Sequence, residues 1–443
     1  MRATDGIGRQ VSDRGATWSG LALTLRLVGR RRVLNLTRLG WGLAIPVLFL
    51  TLTGLATIHA TDRSIAKTVE IGTPGQPAAA EMSWFRRAYG AVGARTARQA
   101  LYALTGIGLL FIVQRPSYQK IGRYAYLLYW LVVVLLVLLV LDKFGSRLGF
   151  DLPFIPERRN AWRWIAFGPL SLQPSEFMKL ALILALARYL RFRKSYRRWR
   201  GLPAPFLLTV LPMALILVEP DLGTVLMLLP VLFAMLFVAG ARLRHLLTIV
   251  LLGVATLPAV YYYGMEEYQK KRVQAVFKQN VDDELWHRGP GYQLRQSKIA
   301  LGTGGLTGQG YGQGVFVRYD LLPDSHNDVI YAVIGHQWGF VGCVLILVAY
   351  GVIVICGIEV ATVTNDPFGR LLAVGVVIMI VAQALINIGM TLALAPITGM
   401  TLPFVSYGGS SLWANFLALG LLVNVAQRRP MLIAKPPFEH KDD

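Results

Sequence analysis

The sequence predicts an all-α polytopic membrane protein, with about ten transmembrane helices and a large extracytoplasmic loop between helices 7 and 8. Three observations predict it. The 443 residues are 54% hydrophobic with a mean hydropathy of +0.50, too apolar for an ordinary water-soluble domain. Runs such as YLLYWLVVVLLVLLVLD (126–142) are long enough to cross a hydrocarbon core of roughly 30 Å. One long, mixed polar stretch, from about Met265 to Asp328, separates two apolar runs; it ends on LPDSHNDVIYAVIG (322–335), with Asp324, His326 and Asp328 at the mouth of the next run. Ionisable groups are costly to keep in such a place, so a functional role is the default reading.

Taken in order, residues 1–39 are a basic arm. They carry eight arginines, lack a 7–15-residue apolar core before Leu34 and show no cleavage-like site, which argues for a cytoplasmic arm and against a removable signal peptide. A membrane domain follows over 40–428, its first span at 40–59. The outer segment 60–98 places Trp84, Phe85, Ala88, Tyr89 and Val92 on one helical face, with Arg86, Arg87, Arg95 and Arg98 off it. That pattern suits a helix lying in the interface, and a plain extension of the next span suits it nearly as well. Further spans are predicted at 99–114, 124–142, 174–191, 204–219, 223–240, 244–264, 328–357, 371–392 and 405–426. The strongest vote on orientation is RFRKSYRRWR (191–200), which belongs on the cytoplasmic side. Both termini, including the tail 429–443, are then inside and the 265–327 loop is outside. The chain shows no internal repeat and no water-soluble second domain.

The formal net charge of +21 is distributed among loops around spans. It does not form the single stripe that nucleic acid requires, and it points to membrane lipids and a phosphate-bearing substrate as partners. Cys343 and Cys356 fall thirteen residues apart in one predicted helix. At 1.5 Å per residue they are about 20 Å apart, beyond the reach of a disulfide. The six histidines have no metal-ligand spacing.

Several charges fall inside the membrane region. Glu176 and Lys179 share one helix face near the start of a span. They are either a mutual structural pair or a pair lining a water-filled cavity, with Lys179 available to an anionic head group. LVEPDLGT (217–224) sets Glu219 and Asp221 around Pro220 in a tight turn, where Asp221 is expected to cap the following helix. Trp162 and Trp164 suit interface anchors, and also sugar contacts. LGTGGLTGQGYGQG (301–314) has no Lys-Ser/Thr after its glycines and no strand before them, so it is not a nucleotide loop. Its glycines are expected to let backbone pass close to a ligand or to the membrane surface. Arg295 and Lys298, on a short interfacial helix just before, could meet a pyrophosphate or lipid phosphate. Asp328 is expected to open a helix, where the macrodipole stabilises its anion and a positioned carboxylate can take the proton of an attacking hydroxyl. The competing reading makes Asp324, Ser325, Asn327 and Asp328 a set of capping residues.

Five blocks in this order, RWIAFGPLSLQPSEFMK (163–179), EPDLGT (219–224), GYQLRQSKIALGTGGLTGQG (291–310), LPDSHNDVIYAVIG (322–335) and NIGMTLALAPITGMTLPFVSYGGSS (387–411), resemble the SEDS family of RodA-, FtsW- and SpoVE-like proteins. The resemblance covers about 120–428. It implies a peptidoglycan glycosyltransferase in the bacterial inner (cytoplasmic) membrane that polymerises lipid II, with inversion and release of undecaprenyl pyrophosphate. It implies Asp328 as the catalytic residue and candidate general base, and Trp164, Glu176 and Lys179 as substrate-binding residues; His326, Arg295 and Lys298 are further substrate-binding candidates from the residues alone. It also implies a class B penicillin-binding protein as cross-linking partner. The chain departs from the family in Asn327 and Val329, which flank the aspartate, in Glu219 where Gln is common, and in GHQWG (335–339), where His336 and Gln337 replace two acids. The lost acids weaken the case for a divalent cation, Mg2+ or Mn2+, and leave cofactors open. Two other functions compete: a lipid II transporter (flippase), and a non-catalytic scaffold that docks the cross-linking enzyme. Elongation, division and sporulation roles are not separable at this stage.

Overall fold

The computed structural model describes residues 36–72, 93–146, 149, 153–156, 162–168, 170–192, 198–279, 291–319 and 321–428. The fold is almost wholly helical. In chain order the helices are α1 (Leu36–Gly72), α2 (Ala94–Gln114), α3 (Tyr118–Arg123), α4 (Ala125–Ser146), α5 (Pro174–Leu190), α6 (Pro203–Val218), α7 (Leu222–Ala239), α8 (Leu243–Ala259), α9 (Glu267–Phe277), α10 (Tyr292–Gly304), α11 (Val315–Arg318), α12 (Ile330–Val363), α13 (Pro367–Thr391) and α14 (Gly409–Gln427). Between α4 and α5 a short antiparallel hairpin pairs β1 (Ile165–Phe167) with β2 (Leu170–Leu172), Ile165 opposite Leu172.

Each of the ten expected spans coincides with a helix. By length and apolar composition, eight are able to cross a membrane. The other two are α5, of 17 residues and carrying Glu176, Lys179 and Arg188, and the 16-residue apolar α6. Burial separates a centre from a periphery. The apolar windows of α13 and α14 are 72% and 78% buried, against 11% for Leu243–Gly264, so the first two form the middle of the bundle and the last turns nearly all its side chains outward. Where helices meet closely, glycine permits it: a Cβ on Gly420 would fall 2.9 Å from the Leu110 carbonyl, joining α14 to α2.

The first helix runs past the expected end at residue 59 as far as Gly72. It carries Asp62 over the start of α2, where the carboxylate accepts from the backbone N–H groups of Arg95 and Thr96, both at 3.0 Å, and from the Thr96 hydroxyl at 3.1 Å. A carboxylate from one helix thus satisfies the N-terminus of the next. The basic arm up to residue 35, the face built on Trp84 to Val92 and the tail 429–443 lie outside the described residues. Cys343 and Cys356 are both free thiols on α12.

The described residues of the 265–327 stretch hold α9, α10 and α11. Its glycine-rich portion lies backbone-to-backbone on α12. That helix is broken at Gly339, whose φ of 64° and ψ of −160° only glycine adopts readily. The freed groups are taken up by the loop. The N–H of Phe340 donates to the Gly305 carbonyl at 2.8 Å, that of Gln309 to His336 at 2.9 Å and that of Gly310 to Gln337 at 3.1 Å. Glycines at 304, 308 and 339 make this approach possible, because a Cβ at any of them would strike backbone.

A second irregular segment, 392–408, joins α13 to α14. The expected spans 371–392 and 405–426 placed part of it in helix; α14 begins only at Gly409. Non-helical backbone at this depth is tolerated where protein buries it or a cavity borders it.

Candidate active site

One cavity of about 930 Å³ is lined from many separate stretches of chain, five of which supply the groups considered first. The hairpin and its approach supply Trp162, Arg163 and Trp164; α5 supplies Glu176 and Lys179; the α6–α7 turn supplies Asp221; the turn before α12 supplies Asp324, Asn327 and Asp328; the irregular segment supplies Thr398 to Thr401 and Tyr407. The cavity therefore gathers Trp164, Glu176, Lys179 and Asp328.

Glu176 and Lys179 form an ion pair at the border of the cavity. Lys179 Nζ lies 2.7 Å from Glu176 Oε2, with side-chain exposures of 2% and 10%, and both residues border the cavity. Lys179 also donates to Gln383 Oε1 at 3.3 Å. Gln383 in turn donates to the Thr401 carbonyl and hydroxyl, both at 3.0 Å, tying the pair to the irregular segment.

Asp328 does not open the helix. It sits in a turn, Val329 is the N-cap and Ile330 the first helical residue. No side chain caps α12, so Asp324, Ser325, Asn327 and Asp328 are not its capping set. What fixes the turn is a row of three carbonyls. His326 O accepts from the Tyr407 N–H at 2.9 Å, Asn327 O from the Ser406 hydroxyl at 2.7 Å, and Asp328 O from Asn387 Nδ2 at 2.9 Å. Asn387 also donates to the Met400 carbonyl at 2.6 Å. One buried amide therefore holds the base candidate and the irregular segment together. Asp328 Oδ2 faces Gly399, 3.7 Å from where a Cβ on that glycine would stand.

Asp221 does cap its helix: its carboxylate accepts from the Thr224 N–H and hydroxyl, at 3.2 and 2.9 Å. It also takes Ser175 Oγ at 3.0 Å and Gln173 Nε2 at 3.1 Å, which fastens the entry of α5 to the α6–α7 turn. Arg163 donates from Nε to the Glu219 carbonyl at 2.7 Å and from its guanidinium to that of Pro220; Lys143 donates to Val218 O at 2.7 Å. Both cations therefore sit at the C-terminal end of α6, where the helix dipole favours them, and both border the cavity. Glu219 is 1% exposed and neither carboxylate oxygen has a partner.

Three candidates lie elsewhere. Arg295 and Lys298 are exposed on α10, away from the cavity, and Lys298 donates to Gln279 Oε1 at 2.9 Å. His326 turns its ring edge-on to Tyr407, with centroids 5.8 Å apart. His336 and Gln337 are buried under the glycine-rich loop, outside the cavity wall. Gln383 and Asn387 were missed in sequence, although a polar amide within an apolar run was the available signal. Among the described residues no group of three or more His, Cys, Asp or Glu side chains could hold a metal ion.

A family described as cell cycle protein, that of FtsW, RodA and SpoVE, matches residues 78–430. The chain is 35% identical over 334 residues to "Probable peptidoglycan glycosyltransferase FtsW" of Geobacter metallireducens, covering 75% of this chain and 84% of that one. It is 35% identical to "Stage V sporulation protein E" of Bacillus subtilis (74% and 86% covered) and 32% identical to "Peptidoglycan glycosyltransferase MrdB" of Escherichia coli K12 (69% and 78%). Among solved structures it is similar to a chain from "Structural coordination of polymerization and crosslinking by a peptidoglycan synthase complex", with TM-score 0.68, 28% identity and 88% and 98% coverage. It is also similar to the Rod shape determining protein RodA of Thermus thermophilus, with TM-score 0.59, 28% identity and 88% and 97% coverage. The arrangement of spans, the five sequence blocks and these likenesses agree: the chain is a multi-pass membrane protein and belongs to the FtsW/RodA/SpoVE family.

Proposed function

We infer that the chain is a peptidoglycan glycosyltransferase that polymerises lipid II in this cavity, with Asp328 as the general base. The observation that carries the reading is the convergence of Asp328, the Glu176–Lys179 pair and Trp164 on one cavity from stretches far apart in sequence. In the proposed step the C4 hydroxyl of an acceptor sugar attacks the anomeric carbon of the donor. Asp328 takes the hydroxyl proton as the new C–O bond forms, and the bond to the pyrophosphate breaks on the opposite face, giving inversion. Trp162 and Trp164 offer apolar faces to sugar rings. Lys143 and Arg163, held by the carbonyls at the end of α6, are set in advance to meet negative charge on the departing undecaprenyl pyrophosphate. Arg295 and Lys298 have no part in this step. His326 contributes through its carbonyl, which holds the turn. No step is routed through a divalent cation.

The same reading places the protein in the bacterial cytoplasmic membrane with both termini inside, so that the cavity faces outward, where the substrate's sugars are. It makes a class B penicillin-binding protein the partner that cross-links the product. The test uses purified protein in lipid vesicles with that partner, labelled lipid II and penicillin to block cross-linking. The expected outcome is a muramidase-sensitive glycan ladder from wild type and none from Asp328→Asn. A ladder that survives the substitution refutes Asp328 as the base. No ladder from either, with labelled lipid crossing the bilayer, would replace this reading with transport.

A further inference from the structure

Helices α6 and α7 both have one end at the cavity, where Glu219, Pro220 and Asp221 join them. Their other ends lie 16 and 18 residues away, about 24–27 Å at 1.5 Å per residue. There a second concavity, of about 470 Å³, is lined by Arg198, Trp199, Arg242, Arg244, His245 and Thr248. Its charges are all of one sign. Among the described residues, no carboxylate pairs with any of the three arginines. All three are exposed, so none is held there by burial.

Positive loops around membrane helices are common, and by themselves they satisfy only the orientation rule. His245 is what separates this cluster from a solvated basic loop. It is 5% exposed and its ring lies against that of Trp199, with centroids 4.4 Å apart and planes 34° from parallel. Its Nδ1 is buried without a hydrogen-bond partner in the protein. The Thr248 hydroxyl donates instead to the Arg244 carbonyl, at 2.7 Å. With its proton on Nδ1, the unpartnered ring nitrogen donates to an oxyanion beside the three guanidinium groups, and the arginine fork matches the oxygens of phosphate. RFRKSYRRWR (191–200) gives the same end of the molecule further positive charge in sequence.

We propose that this concavity binds a phosphate group, carried either by an anionic phospholipid head group or by free phosphate, at a site separate from the catalytic cavity. Basic pockets between membrane helices are built for that chemistry. Full-length protein in micelles is titrated at constant ionic strength with dihexanoyl phosphatidylglycerol, dihexanoyl phosphatidylcholine and sodium phosphate. Thermal unfolding is followed together with Trp199 emission, the latter taken as the difference from Trp199→Phe. A saturable response to phosphatidylglycerol and not to phosphatidylcholine is expected. Arg242→Gln with Arg244→Gln weakens it at least tenfold, and His245→Phe, which keeps a ring against Trp199, weakens it several-fold. Arg115→Gln, an exposed arginine outside the concavity, leaves it unchanged. Saturation by phosphate as well names the phosphate group itself as ligand; response to the lipid alone names the head group. An equal response to phosphatidylcholine, no saturable response to either anion, or a response undiminished in the double variant overturns the proposal. The double variant alters only exposed side chains, and its unfolding without ligand checks that it folds.

Discussion

The Glu176–Lys179 pair gives the sharpest energetic test of the cavity. Lys179→Met keeps most of the volume and removes one charge, leaving a Glu176 carboxylate with side-chain exposure of 10% and without the ammonium 2.7 Å away. Breaking one side of a buried pair costs about 3–5 kcal/mol, because the remaining ion is left uncompensated. Lys179 also gives up its bond to Gln383, whose amide still reaches Thr401 from the other end. Adding Glu176→Gln removes the stranded charge, and the double variant is expected to recover to within about 1–2 kcal/mol of wild type, as replacement of a whole buried pair usually does. The assay is SDS titration in mixed micelles for wild type, both single variants and the double variant, which gives the coupling as a double-mutant cycle. If Lys179→Met costs less than about 1 kcal/mol, water in the cavity already solvates Glu176, and the pair behaves as an exposed one.

Asn387→Leu leaves the carbonyls of Asp328 and Met400 without their donor; at roughly 1–3 kcal/mol per stranded buried group it lowers stability by about 2–6 kcal/mol. Turnover in the vesicle assay is expected to fall on the order of 100-fold, through misplacement of Asp328 by a fraction of an ångström to one. Gly339→Ala forces an alanine into glycine-only backbone, with its Cβ 2.5 Å from Gly308 N and Leu306 O, and should cost about 3 kcal/mol or more in thermal unfolding.

The helices were legible because a membrane leaves backbone little else to do: unsatisfied N–H and C=O groups in lipid cost too much, so an apolar run of sufficient length reads as helix. The same rule explains the errors. Residues 60–71 contain no proline or glycine, so α1 continues into polar sequence until Gly72, although hydropathy ends the span at residue 59. The segment 392–408 is as apolar as its neighbours, and hydropathy assigned parts of it to spans. Its punctuation, Pro396, Gly399, Pro403 and Gly408, was the better guide. The break at Gly339 leaves no trace in the apolar pattern, because the hydrogen bonds that replace the helical ones come from a loop thirty residues upstream. Glu176, Lys179, Asp221 and Asp328 were visible as charges where charge is expensive. Lys143 and Arg163 were not, since each lies in a loop or helix end where a basic residue is ordinary.

The position of Asp328 shows why capping and catalysis had to be separated. A carboxylate that caps a helix gives its acceptor sites to the N–H groups of the first turn. A general base needs an acceptor site aimed at the incoming hydroxyl. Sequence alone sets Asp328 next to a helix start and leaves both roles open. In the structure Val329 takes the N-cap position with no side-chain cap, and the macrodipole, which fades within a turn, no longer has Asp328 in its first turn. The turn must then be held by something other than the helix. Asn387, Ser406 and Tyr407 do this through three consecutive carbonyls, which fixes the backbone of the turn. The irregular segment 392–408 is therefore part of the catalytic apparatus in the proposed reaction: its departure from helix brings Ser406 and Tyr407 to the turn and sets Gly399 beside the carboxylate.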